Sequence, residues 1–88
     1  MKYVMFYETN PEKLPLAKAH FTAHRARMGE FHARGTLLMA GPHENPMDGA
    51  LGIFTSREAA EEFISGDPFV THGVVRNPRV LGWNEILA

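Results

Sequence analysis

The 88-residue sequence has no cysteine, an absence that removes disulfide frameworks, thiol nucleophiles and cysteine-based zinc sites together. Charge of one sign is missing too. Nine Lys and Arg stand against ten Asp and Glu, a formal net charge of -1. That balance offers no electrostatic footprint for nucleic acid or an anionic membrane. Long apolar runs are also lacking: Met1-Lys2-Tyr3-Val4-Met5-Phe6-Tyr7 meets Glu8 far short of the roughly 20 residues that a membrane span needs. There is no glycine-rich phosphate loop, no Ser-His-Asp signature and no pair of carboxylates at recognisable catalytic spacing. One domain over residues 1–88 is expected, cytoplasmic, with no nucleic-acid or membrane partner. A chain of this length buries only about 60–65% of its unfolded surface, so self-association would help its thin core.

What is present reads as alternating strands and helices. Tyr3 to Tyr7 is an aromatic-rich apolar run ended by Glu8-Thr9-Asn10-Pro11, hence a strand. Tyr3, Met5 and Tyr7 lie on one side and Val4 and Phe6 on the other, so both faces ask for cover. Pro15 to Arg34 is the long helix. Ala17, Phe21, His24, Met28 and Phe31 form its apolar stripe, Glu30 and Arg34 an i,i+4 pair, and Gly35 its terminator. Arg25, Arg27 and Arg34 read as a solvated face, one of which could meet an anionic substrate.

Thr36 to Ala40 is a second strand ended by Gly41-Pro42, His43 to Gly49 a loop, and Ala50 to Phe54 a third strand. Thr55-Ser56-Arg57-Glu58 matches a capping box opening a second helix, with Ala59, Ala60, Phe63 and Ile64 inward and Gly66 at its end. Asp67-Pro68 restarts helical structure. Val74 to Leu87 carries the last strand, where Pro78 implies an edge or a bulge. The order β-α-β-β-α-β is the ferredoxin-like plan of the α+β class: a four-stranded antiparallel sheet with both helices on one face. The other face then needs a ligand, a sheet or a second subunit, and a sheet-to-sheet homodimer is the simplest cover.

Among residues able to carry chemistry, His24 lies on the apolar stripe between Phe21 and Met28. It is either a core histidine satisfied by a backbone carbonyl or an acid–base group whose tautomer a carboxylate fixes. His20 and His24 share a helical side at metal-ligand spacing, but Phe21 stands where the metalloprotease motif has glutamate and no third ligand is evident; no metal is expected. Asp67 is a good N-cap before Pro68, and its second oxygen remains available to an imidazole. Gly41-Pro42 is a turn or a place where backbone approaches a ligand. Trp83 and Tyr7 read as core or dimer-interface residues, and Met5, Met28, Met39 and Met47 as packing.

Taken in order, Ala23-His24-Arg25-Ala26-Arg27, then Gly35-Thr36-Leu37-Leu38-Met39-Ala40-Gly41-Pro42, then Ser56-Arg57-Glu58-Ala59-Ala60, then Asp67-Pro68-Phe69 and Gly73-Val74 cover nearly the whole chain. In this order and spacing the chain resembles the YCII-related (YciI-like) family of small dimeric α/β-barrel proteins. The resemblance implies a ferredoxin-like subunit whose sheet packs on its twin, and a pocket with a histidine and an aspartate matching His24 and Asp67. Gly41, Pro42 and Phe69 are then the candidate substrate-binding residues. Some relatives look like dehydrochlorinases or resemble muconolactone isomerases in fold. Lys13 and Lys18 stand where relatives often carry arginine, the His43–Gly49 loop is compact, and His20, His32, His43 and His72 lie outside the pattern.

The resulting expectation is a small cofactor-independent enzyme. His24 moves a proton in elimination or isomerisation of a small cyclic or lactone-type substrate, oriented by Asp67. No nucleophile is evident for acyl transfer. The alternatives are a non-catalytic small-molecule-binding or regulatory dimer and a haem- or quinone-handling oxygenase of the related barrel type.

Overall fold

The computed structural model describes residues 1–88. Strand β1 spans Lys2–Thr9, helix α1 Ala17–Ala33, β2 Leu37–Pro42, β3 Ala50–Phe54, α2 Arg57–Gly66, the one-turn α3 Pro68–Thr71, and β4 Val75–Trp83. The sheet order is β2-β3-β1-β4, and each neighbouring pair is antiparallel. This is the ferredoxin-like arrangement that the element order calls for.

Several boundaries differ from the sequence reading, each for a local reason. Pro15 opens a separate 3-10 turn, Leu14–Leu16, and the α-helix proper begins at Ala17. Strand β2 runs on through Gly41-Pro42 instead of stopping before them. It is an edge strand, where a proline at the end costs no ladder bond. The N-cap of α2 is Ser56, not Thr55: the Ser56 side chain accepts from Ala59 N at 3.1 Å, which puts Glu58 in the first turn as a charge favourable to the helix dipole. Strand β4, Val75–Trp83, falls within the Val74–Leu87 segment expected to contain it. Helix α1 closes on Gly35, whose φ of +81° suits glycine alone among common residues.

The two faces of the sheet differ. Toward the helices, Met5, Tyr7, Leu37, Phe54 and Val75 join Phe31, Ala59, Ala60 and Phe63 in one buried cluster. Phe63 meets Phe31 edge-on at 5.3 Å and Phe54 tilted at 5.6 Å, favourable geometries for aromatic rings. Phe21, expected on the buried stripe, is 55% exposed, because only the C-terminal half of α1 lies over the core; Phe31 is its one fully buried residue. Arg27 is not a solvated residue either. Its guanidinium donates to the Phe63 and Glu62 carbonyls at 3.1 and 2.8 Å and lies near the Phe31 and Phe63 rings, capping the C-terminal turn of α2. Glu30 and Arg34 do pair, at 2.6 Å, and Arg34 also reaches Glu62.

On the opposite face, register places Val4 and Phe6 of β1 beside Leu51 and Ile53 of β3, Leu81 of β4 and Met39 of β2. No helix covers this side. Met39, Leu81 and Trp83 are 66%, 49% and 48% exposed.

Pro78 satisfies both of its expectations, since β4 is an edge strand and also bulged. Phe6 pairs with Arg79 and Glu8 with Arg76, so Tyr7 alone faces both Asn77 and Pro78, and Asn77 takes the positive φ of 49°.

Candidate functional site

The site is built at the corner where α2 meets α3. Pro68 disfavours helical backbone at the residue before it, so α2 stops and Asp67 is extended, with φ −70° and ψ 121°. Its carboxylate then caps α3 by accepting from Phe69 N at 3.1 Å. The same Oδ1 accepts from His24 Nδ1 at 2.6 Å, and Oδ2 accepts from the Tyr7 hydroxyl at 2.7 Å. Asp67 has no solvent exposure. A carboxylate so deeply buried needs its oxygens satisfied, and here three donors from three elements converge on it.

These contacts fix His24. A carboxylate has only lone pairs to offer, so Nδ1 carries the hydrogen between them and the neutral ring keeps its lone pair on Nε2. Phe69 stacks flat on the imidazole at 3.9 Å with an interplanar angle of 1°, and Phe63 meets it edge-on at 6.5 Å. The ring is held at one nitrogen and on one face. No buried side-chain nitrogen or oxygen lacks a partner, and Nε2 makes no hydrogen bond, so Nε2 is open to its surroundings.

Those surroundings are a cavity of about 440 Å³ in which 14 of 21 lining residues are hydrophobic. Met5, Tyr7, Leu37, Phe63, Val74 and Val75 make its buried floor; Leu14, Phe21, Arg25, Pro42 and Pro46 stand exposed at its mouth. Of the sequence candidates, His24, Gly41, Pro42 and Phe69 line this one cavity, while Asp67 lies behind His24 and off the wall. Asp67 therefore both caps a helix and holds an imidazole. Gly41 and Pro42 are wall residues within β2.

The His43–Gly49 loop forms part of the wall and is tightly tied. It contains a 3-10 turn, Pro46–Asp48, capped by Asn45 and tethered by Thr9 Oγ1 to Pro46 O at 2.5 Å. Gly49 has φ +102°, and a Cβ there would collide with the Tyr7 carbonyl oxygen, so only glycine lets the loop lie against β1. His20 and His24 do not act as a pair: His20 stacks on His72 at 3.7 Å.

Tyr7 is the residue that sequence reasoning leaves in the core. Burial, followed by the charge of Asp67 and the hydrogen bond to it, raises its hydroxyl well above the ordinary tyrosine range. Tyr7 is thus a permanent donor to Asp67, not a base. The only signal in the sequence is general: a buried tyrosine hydroxyl needs a partner, and nothing local names Asp67 as that partner.

A four-stranded βαββαβ sheet, with a carboxylate-held histidine opening into an apolar cavity under its helices, defines a small ferredoxin-like α+β protein with a ligand-sized pocket. Comparison with known sequences narrows the class: residues 1–84 match the YCII-related domain, and the chain belongs to that family. Protein YciI of Escherichia coli is 30% identical over 98% of this chain and 99% of its own length, and its Shigella flexneri counterpart matches equally. An uncharacterised Haemophilus influenzae protein is 32% identical over 84% of this chain and 87% of its own. Among solved structures, 5-chloro-2-hydroxyhydroquinone dehydrochlorinase (TftG) from Burkholderia phenoliruptrix, in complex with 2,5-dihydroxybenzoquinone, superposes with a TM-score of 0.75. It covers 96% of this chain and 94% of that one at 21% identity, a likeness of fold.

Proposed function

We propose that the protein is a small enzyme that needs no cofactor and uses His24, oriented by Asp67, to move a proton on a small cyclic or lactone-type substrate. The observation that carries this reading is a single one. His24 is locked through Nδ1 and by the Phe69 ring, while Nε2 stands unpartnered at a predominantly apolar cavity. A general base needs a lone pair in reach of a substrate and an orienting group behind it, and the arrangement supplies both. The fold likeness to a dehydrochlorinase complexed with a dihydroxybenzoquinone supports a ring substrate of quinol or quinone type.

In such a reaction Nε2 takes the proton from a ring carbon or hydroxyl next to an electron sink. From a carbon, the electron pair of the broken C–H bond becomes a ring double bond. From a hydroxyl, the O–H pair becomes a ring carbonyl and an adjacent ring π pair shifts. In elimination, the leaving group departs with its own bonding pair, and the imidazolium afterwards gives its proton to water. In isomerisation, the imidazolium returns its proton to another carbon. Asp67 stabilises the imidazolium in either case, and Tyr7 keeps Asp67 in place by donating to its second oxygen. We further propose that a second copy covers the open sheet face, which Val4, Phe6, Ile53, Leu81 and Met39 make apolar.

The test is turnover of a chlorinated hydroxyhydroquinone and of small unsaturated lactones by the wild type, His24→Ala and Asp67→Asn. Loss of about 10²–10⁴ in kcat for His24→Ala, with substrate binding retained, is the expected result. Full turnover in both variants would end the dyad reading, and binding without turnover by the wild type would make the protein a binding module.

A further inference from the structure

Arg25 is the one arginine of the chain without a partner. Arg34 pairs with Glu30 and Glu62, Arg76 with Glu8, and Arg27 with two carbonyls. Arg57 donates to Val80 O, and Arg79 lies 5.0 Å over the Phe6 ring. Arg25 has no such contact, although it sits on α1 directly after His24 and lines the same cavity.

The polar side chains of the cavity can be counted out. Its lining includes Tyr7, Thr9, His24 and Arg25, the rest being apolar or glycine. The Tyr7 hydroxyl is committed to Asp67 and the Thr9 hydroxyl to the Pro46 carbonyl. Two groups remain uncommitted, His24 Nε2 and the Arg25 guanidinium, and no carboxylate shares the wall to neutralise the latter. The floor is apolar and Arg25, exposed like Phe21 at the mouth, lays its guanidinium along α1 beside Gly29, so a bound ring would lie inward with any charged substituent directed outward toward the cation. A guanidinium is a permanent cation whose fork of N–H donors fits a charged oxygen, and the low-polarity wall beside it reduces competition from water.

We propose that the cavity takes small cyclic ligands that carry an anionic oxygen, a carboxylate or an ionised ring hydroxyl, and that Arg25 is the residue that selects for this charge. The proposal rests on reading the cavity as the substrate site and adds the class of molecule it accepts. Arg25 is a specificity-determining residue in this account, and proton transfer belongs to His24.

The experiment measures affinities of three ring probes for the wild type, Arg25→Gln and Arg25→Lys: 2,5-dihydroxybenzoquinone with ionised hydroxyls, benzoate, and neutral benzamide. Binding is read from His24 and Phe69 NMR resonances and from the quinone absorbance. In the wild type at least one anionic probe is expected to bind about tenfold tighter than benzamide, with added salt narrowing the gap. Arg25→Gln is expected to abolish that preference without changing benzamide affinity, and Arg25→Lys to retain part of it. The ratio of quinone to benzoate affinity tells which oxygen is preferred.

Equal affinity for charged and neutral rings in the wild type, an unchanged preference in Arg25→Gln, or no binding of either anion at millimolar concentration would each overturn the proposal. The dyad reading fails separately, through full turnover in His24→Ala and Asp67→Asn. Either idea can therefore fall while the other stands.

Discussion

Strand β1 carries two apolar faces that end in opposite situations. Met5 and Tyr7 turn toward the helices, where they are 3% and 4% exposed. There even the polar atoms are matched, as Tyr7, His24 and Phe69 N converge on Asp67. Val4 and Phe6 turn the other way, where neighbouring strand side chains bury Val4 and Arg79 lies over the Phe6 ring, but no helix covers this face and Leu81 and Met39 stay exposed. Alternation along a strand distributes side chains equally to both faces, but the helices supply partners to only one. The covered face has enough surrounding structure to bury a carboxylate and aim an imidazole. The open face has apolar surface and lacks the walls for a polar site.

The contrast is sharpest where one face is cut and the other is left intact. Phe54, with no exposure, lies under the helices, and Phe54→Ala should cost about 4 kcal/mol in denaturant unfolding. Asp67→Ala leaves three donors facing an empty corner and should cost about 3 kcal/mol while releasing His24. Tyr7→Phe should cost about 1 kcal/mol at neutral pH.

Tyr7→Phe also changes the alkaline limb. Because burial raises the folded-state pKa of Tyr7 above its unfolded value near 10, its contribution is complete below pH 10 and declines above it. The wild type should therefore lose stability above pH 10 more steeply than the phenylalanine variant. On the open face, Leu81→Lys should move the unfolding midpoint of the isolated subunit by no more than about 0.5 kcal/mol and yet shift a sedimenting dimer to monomer. A monomer at micromolar concentration in the wild type would remove the proposed second copy.

The smallest effect lies at the sheet's end. Glu85 is held down to about 2 chiefly by the hydrogen bond from Lys2, with help from backbone and the Met1 ammonium. A lowered carboxylate pKa stabilises above the unfolded value of 4.5 and loses that contribution as pH falls toward 2. Glu85→Gln should flatten this acid slope slightly and leave the neutral-pH midpoint nearly unchanged.

Much of this architecture is legible from residue order. The alternating apolar and helical segments point to the ferredoxin-like plan, Gly35 to the end of α1, and Pro78 to an edge or a bulge, of which the structure has both. Asp67-Pro68 encodes the corner on its own, because the proline forces the break and the aspartate caps the short helix α3. The family resemblance joins His24 to Asp67, a pairing across 43 residues that no local pattern contains.

Tertiary choices are hidden. Tyr7 and Phe21 look equally like core residues on their own segments. Only the fold shows that Tyr7 reaches a carboxylate while Phe21 stands 55% exposed at the cavity mouth. Arg25 and Arg27 are likewise alike in sequence, two positions apart on one helix. The meeting of α1 with α2 gives Arg27 two carbonyls and leaves Arg25 free at the cavity.

The central claim is that Asp67 holds the His24 Nδ1–H and leaves the Nε2 lone pair facing the cavity. Two-bond nitrogen–proton NMR of the histidine rings reads this directly, in the wild type and in Asp67→Asn at a pH where imidazole is neutral. The expected wild-type result is one ring, assigned to His24, wholly in the Nδ1–H tautomer, reverting to the mixture of a free histidine in Asp67→Asn. A wild-type His24 in the Nε2–H tautomer, or one indifferent to the loss of the carboxylate, would contradict the account.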